Sequence, residues 1–336
     1  MGGSPEQNFN GALKQTGIAW CWGRGSSGQL GDNTATSKSS PVSVVGNHVF
    51  TVISGGEGHV VGLKQTGEAW CWGGGSKGQL GDNTVTAKSS PVSVVGDHSF
   101  TDVAGGQDHS WGLKADGSLW GWGYNPFGSL GDNSVTDKSS PVFVVGNHSF
   151  IDMVGTYRAS AALKANGEVW TWGQNNNGRL GDNTVDNRSS PVLVVGSHIF
   201  SQIAMGYRAT GARKSNGEIW TWGQGTNGAL GDNSETDKSS PVSVVGNHSF
   251  ISVKGGAHFL SGVYNSSFFL ALKENGQVWA WGGNNFGQLG TGNIVFTSSP
   301  VLVIGDHSFV AIGTAGNSAY GRKANGETWG WGLNSE

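Results

Sequence analysis

An all-β propeller of seven blades is the fold class this sequence predicts, and three observations predict it. First, a Trp-x-Trp-Gly motif places its second Trp at Trp22, Trp72, Trp122, Trp172 and Trp222, each 50 residues from the last, and again at Trp281 and Trp331. A fixed period of this size marks a repeat architecture. One interval breaks it, the 59 residues from Trp222 to Trp281. Second, each unit contains short apolar alternations bounded by Gly, Pro, Asn and Asp, the pattern of strands and turns. Third, 59 glycines and 15 tryptophans stand against only 13% charged residues, and helix formers never gather at helical spacing.

The unit from Phe100 to Val145 shows the elements in order. Phe100-Thr-Asp-Val-Ala runs into Gly105-Gly106 and forms strand A. His109–Lys114 forms strand B, and Ala115-Asp116-Gly117 is its hairpin loop, with Gly at the left-handed position. Ser118–Trp122 forms strand C. A polar loop over 123–140 leads to strand D, Pro141–Val145, with Pro at the strand start, where a missing N–H is tolerated. Gly146-Asn147-His148 turns into the next unit.

Four short antiparallel strands per unit, repeated in series, make propeller blades. The paired Trp residues of strand C lie two apart and share one sheet face, while the residue between them faces the other way. That residue is Cys21, Cys71, Gly121, Thr171, Thr221, Ala280 or Gly330, always small, as large-against-small packing between blades requires. Cys21 and Cys71 therefore read as small buried hydrophobes and not as a disulfide pair. The Trp residues read as core and not as a ligand-stacking platform.

Residues 1–336 read as one domain, with 1–9 linker-like and 256–268 holding an insertion in the A–B loop of blade 6. Strands B and C occur seven times, but no strand A is legible in blade 1 and no strand D in blade 7. The terminal blades are thus expected to be incomplete in this chain. A longer protein, or an assembly with a neighbouring copy, would supply the missing strands and remove open sheet edges.

The recurring string Ala/Gly-Leu-Lys-x-x-Gly-x-x-Trp-x-Trp-Gly, then Gly-x-Leu-Gly-Asp-Asn and Ser-Ser-Pro-Val, reads clearly over Leu63–Val92, Leu113–Val142 and Leu163–Val192. It resembles the regulator of chromosome condensation (RCC1-like) repeat family of seven-bladed propellers over nearly the whole chain. The near-identical copies are more similar to bacterial or phage members than to the eukaryotic founder. The resemblance implies an interaction fold: the founder is a nucleotide-exchange factor for a Ran-type GTPase and docks on chromatin, and other members inhibit enzymes or act as scaffolds. No exchange-factor residues carry over, because those lie in loops without a counterpart here.

The net charge of −3, the pI near 6.3 and the absence of any Lys/Arg run argue against nucleic acid as a partner. No apolar run is long enough to insert in a membrane. Asp32, Asp82, Asp132, Asp182 and Asp232 recur in Leu-Gly-Asp-Asn-Thr/Ser. One carboxylate per loop suits an Asx turn better than a Ca²⁺ site. Six histidines fall in D–A turns, and none has a second ligand at metal spacing, so turn or inter-blade hydrogen bonding is expected for them. The lysines before each hairpin read as solvated. No nucleophile–base pair or phosphate loop departs from the repeat background, so the sequence predicts no catalytic residue, no metal and no cofactor.

Variation gathers in the A–B loops. Blades 4 and 5 carry Thr156-Tyr157-Arg158 and Gly206-Tyr207-Arg208, and the insertion contributes Phe259, Tyr264 and Phe268. Loops on a rigid scaffold carry binding, and Tyr and Arg are typical anchors. Tyr157, Arg158, Tyr207, Arg208, Phe259, Tyr264 and Phe268 are the expected partner-binding set. The function expected first is a non-catalytic protein-interaction or structural module, extracellular or virion-associated. Regulation or nucleotide exchange of a small GTPase is the alternative, and a glycan-binding propeller using exposed Tyr157, Tyr207, Tyr264 and Phe268 is the third.

Overall fold

The computed structural model describes residues 9–256 and 266–333. Residues 1–8 of the linker-like start, the bulk of the blade 6 insertion, and with it Phe259 and Tyr264, lie outside the described residues, whereas Phe9, expected in the linker, opens the first strand. Seven antiparallel sheets follow one another along the chain, five of four strands and two of three. Blade 3 is representative, with strand A at Asp102–Gly105, B at His109–Leu113, C at Leu119–Gly123 and D at Lys138–Phe143. Among the described residues blade 1 comprises strands B, C and D (Phe9–Leu13, Ala19–Gly23, Lys38–Ser43), and blade 7 comprises A, B and C (Ala311–Ala315, Ser318–Arg322, Thr328–Gly332).

Strand D begins three residues earlier than the sequence predicts, so Pro141 lies inside it. The cause is a register shift between Gly121 and Gly123 that brings Lys138 opposite Gly123. Proline is tolerated there because D is the outer edge of the sheet and needs no donor on its far side.

The Gly of Trp-x-Trp-Gly is fixed by backbone geometry. Gly123 has φ +108°, and a Cβ on it would lie 2.5 Å from the Asp108 carbonyl oxygen. Only glycine satisfies both conditions.

Each blade packs on the next through the second Trp of the pair. Trp122 is fully buried among Val61, Leu63, Cys71 and Leu80 of blade 2, beside Phe100 and Val103 of its own blade. Its indole N–H donates to the Gln79 carbonyl of blade 2 at 3.0 Å, and Trp72, Trp172 and Trp331 make the same bond across their own interfaces. Burial of a ring this large is the main apolar gain of each interface.

The first Trp of each pair is clasped instead of buried. The His98 ring packs on Trp120 at 4.4 Å, and the Lys114 ammonium lies 4.8 Å from the same ring. The pattern recurs from His48, Trp70 and Lys64 through to His307, Trp329 and Lys323. Among the described residues the D–A turn histidines therefore act by packing ring against ring, tilted by 39–46°, and not by the hydrogen bonding expected of them. The lysines are not simply solvated: each contributes a cation–π contact worth about 0.5–1 kcal/mol at such exposed sites.

The ring meets where blade 7 faces blade 1, and there the Tyr320 hydroxyl donates to Asn10 Oδ1 at 3.1 Å. Strand C of blade 7 pairs on one side only among the described residues, and its Trp329 is 44% exposed. A cleft of about 400 Å³ runs along that strand, lined by Ile294, Ile304, His307, Trp329 and Trp331.

Candidate interaction surface on the A–B loop face

Hydrogen bonds link successive A–B loops into a partial ring. The Glu57 N–H donates to the Gln107 carbonyl at 3.0 Å, and the Gln107 N–H donates to the Thr156 carbonyl at 3.3 Å. The C–D loop of blade 3 supports the A–B loop of blade 4: Ser129 Oγ donates to the Arg158 carbonyl at 2.8 Å. Both loop sets share one face, as antiparallel order requires.

Blades 2 and 3 contribute an acidic side. Burial raises the Glu57 carboxyl above its usual range, against a lowering hydrogen bond from Gln107. Burial also raises Asp108, opposed by the positive charges of Lys77 and Arg158. Behind them His59 and His109 are fully buried. His59 Nε2 shares a hydrogen bond with Ser110 Oγ at 2.8 Å, and the His109 ring meets Trp111 edge-on at 4.1 Å. Burial lowers the His59 pKa to about 4 and, together with His59, that of His109 to about 3. Both are neutral at physiological pH.

Blades 4 and 5 contribute a basic, aromatic side. The Tyr157 and Tyr207 rings lie 4.4 Å apart. The Arg158 guanidinium lies 4.5 Å from the Tyr157 ring and 4.9 Å from Phe127, and that of Arg208 lies 4.9 Å from Tyr207 and 5.7 Å from Tyr157. Arg158 holds a left-handed backbone, φ +58°; the other non-glycine residues with positive φ among those described are Asn, Asp and one Ser. Strain of this kind persists only where the surroundings over-determine it.

The structure thus brings together four of the expected binding residues, Tyr157, Arg158, Tyr207 and Arg208. It separates Phe268 from them. Phe268 lies in strand B of blade 6 (Phe268–Leu272), fully buried in the core shared with blade 7. Tyr207 is only 4% exposed, because Tyr157 and Arg208 pack on it. Neither ring offers the exposed face that glycan stacking needs.

One residue escaped the sequence reading. Arg179, in the C–D loop of blade 4, is 1% exposed and donates to the Tyr157 carbonyl at 3.2 Å and to Asn177 Oδ1 at 3.3 Å. Its signal was available: the same repeat position holds Gln29, Gln79, Ser129, Ala229 and Gln288, so a charge there is unique.

The recurrent aspartates form turns. Asp82 Oδ1 accepts from the Thr84 N–H at 3.0 Å and the Thr84 hydroxyl at 2.7 Å, while Oδ2 lies 3.6 Å from Lys88. Among the described residues no group of three or more His, Cys, Asp or Glu is placed to hold a metal ion. No helix among them is long and apolar enough to cross a membrane.

A seven-bladed propeller with one chemically distinct sector on its loop face defines the class: a protein-interaction propeller. More particularly, the chain belongs to the RCC1-like domain family, whose model matches residues 6–261, and the RCC1 repeat model matches residues 275–318. A sequence search of curated proteins finds no match. Among solved structures, human WBSCR16 superposes with a TM-score of 0.80 at 20% identity, covering 92% of this chain and 82% of that one. Prp20p from Saccharomyces cerevisiae, described with its binding to Gsp1p and histones, gives 0.80 at 18% identity, covering 98% and 82%. The ectodomain of the Arabidopsis thaliana receptor kinase ACR4 gives 0.55 at 16% identity, covering 98% and 95%. At these identities the likeness is one of fold.

Proposed function

We propose that this chain is a non-catalytic binding propeller that docks a protein partner on the A–B loop face of blades 4 and 5, and that it works outside the cell or on a virion. The observation that carries the reading is the Tyr157–Tyr207 pair with its packed arginines, a cluster confined to two blades of an otherwise repetitive face. Aromatic and arginine anchors ringed by ordered loops are what binding hot spots consist of. The low charge and the many Ser, Thr and Asn residues favour the extracellular setting.

The test is affinity capture from the source extract, quantified by mass spectrometry. The wild-type chain and a Tyr157→Ala/Arg158→Ala chain serve as paired baits, both checked for an unchanged circular dichroism spectrum. The partner's recovery on the double variant should fall at least about tenfold, a loss of about 1.4 kcal/mol. Equal recovery would overturn the reading. Fractionation decides the setting: the chain should be found with secreted or particle-associated protein and not in the cytosol.

A second reading, regulation of a small GTPase, is favoured by the 98% coverage of this chain by the Prp20p fold. Its readout is release of labelled nucleotide from a GTPase panel. Acceleration that survives Tyr157→Ala/Arg158→Ala would place the activity elsewhere on the propeller.

A further inference from the structure

Three arginines converge on one residue. Arg158 and Arg208 lie over the Tyr157 ring, and Arg179 donates to the Tyr157 carbonyl. Among the described residues no carboxylate lies within ion-pairing distance of any of the three. Residues 257–265, which follow strand A of blade 6, contain no Asp or Glu. The Nε atoms of all three arginines are buried and have no hydrogen-bond partner among the described residues.

Such an arrangement costs stability. A buried charge is tolerated when it is paired, and the formal charges acting on Arg179 are those of Arg208 and Arg158, which are alike. Burial and the neighbouring Arg208 lower the Arg179 pKa to about 9, which still leaves it charged at neutral pH. The fold does not demand this: Gln29, Gln79 and Gln288 fill the equivalent position in three other blades. The fold itself therefore gives no reason for a fully buried guanidinium at this position.

We infer that Arg158, Arg179 and Arg208 form an oxyanion site that takes the side-chain carboxylate of an acidic segment on the protein partner, an inference that rests on the binding face proposed above. Guanidinium forks match carboxylates in shape and charge. Tyr124 and Phe127, which also carry the Arg158 guanidinium, supply apolar ring faces for the rest of a peptide. The electrostatic coupling of Glu57 and Asp108 to Arg158 makes the sector less hospitable to a doubly charged phosphate than to a single carboxylate.

The experiment is isothermal titration of the full chain with an acetylated tetraglutamate peptide and its tetraglutamine counterpart, with inorganic sulfate as a third probe. The wild type should prefer the glutamate peptide at least about tenfold, and the preference should weaken as salt is raised. Arg179→Gln should abolish that preference while raising the melting temperature of the free chain. Equal binding of the two peptides, or a preference that survives Arg179→Gln, overturns the inference. Sulfate binding that matches the glutamate peptide and needs Arg179 also overturns it, because the site then takes inorganic oxyanions. A partner still lost from the Tyr157→Ala/Arg158→Ala bait, with no glutamate preference, refutes the oxyanion site and leaves the binding face standing. A glutamate preference that depends on Arg179, with partner recovery unchanged on that bait, refutes the binding face and leaves the oxyanion site standing.

Discussion

The Tyr157 and Tyr207 rings lie 4.4 Å apart across the junction of blades 4 and 5, and they differ in burial. Tyr207 is 4% exposed and is part of the structure, whereas Tyr157 is half-buried and carries the arginines. Tyr207→Ala should therefore cost about 3 kcal/mol of stability and Tyr157→Ala about 1 kcal/mol. Urea denaturation of the two single variants separates them. Equal costs would mean that Tyr157 is as much a core residue as its neighbour.

Gly123 closes its Trp-x-Trp-Gly motif at φ +108°, with the Asp108 carbonyl where a Cβ would go. Gly123→Ala should lower stability by about 2 kcal/mol or more, through backbone strain and steric overlap together. Gly58→Ala is the control, since a Cβ there meets nothing within 4 Å. Its stability should stay within about 0.5 kcal/mol of wild type.

His59 and His109 give the fold an acid limit. Each has a folded pKa, about 4 and about 3, below the value near 6.5 of an unfolded histidine. Below pH 6.5 the unfolded chain takes up two protons that the folded chain refuses, so acid favours unfolding. The stability these residues permit is fully present above pH 6.5 and is lost as pH falls toward 4, at up to about 2.7 kcal/mol per pH unit for the pair. The equivalent positions in blades 4 and 5 hold Ala159 and Ala209. His59→Ala/His109→Ala should flatten this slope in a pH series of melting temperatures, and an unchanged slope would refute the assignment.

Cys21 and Cys71 are buried free thiols. Burial first, and then Asp32, push the Cys21 thiol up to about 12, and burial also raises Cys71. Neither forms thiolate at pH 8, so a thiol reagent should label both only after denaturation. Rapid labelling of the native chain would contradict the inter-blade packing around them.

Much of this was legible in the sequence because one unit is written seven times. Trp120 and Trp122 announce strand C, and Gly117 its hairpin, so strands B and C fall within a residue of their predicted bounds. Strand D was placed too late because the register shift between Gly121 and Gly123 is a three-dimensional event that no periodicity records. The packing of the His98 ring on Trp120 is hidden for a similar reason, since it joins a turn to the strand of the following blade. The Tyr157-Arg158 and Tyr207-Arg208 loops stood out as departures from the repeat. Arg179 did not, because it sits in a polar loop whose other copies vary among Gln, Ser and Ala. Its burial follows from folding back onto its own blade's A–B loop, a contact that repeat spacing does not record.

Site-specific photocrosslinking tests the binding face most directly. A benzophenone side chain is placed at Tyr157 on the A–B loop face, or at Asn166 on the exposed hairpin of the opposite face. Each chain is then irradiated in source extract. One discrete crosslinked partner is expected from position 157, suppressed by excess unlabelled wild-type chain, and none from position 166. A partner crosslinked from position 166 and not from position 157 would contradict the binding face.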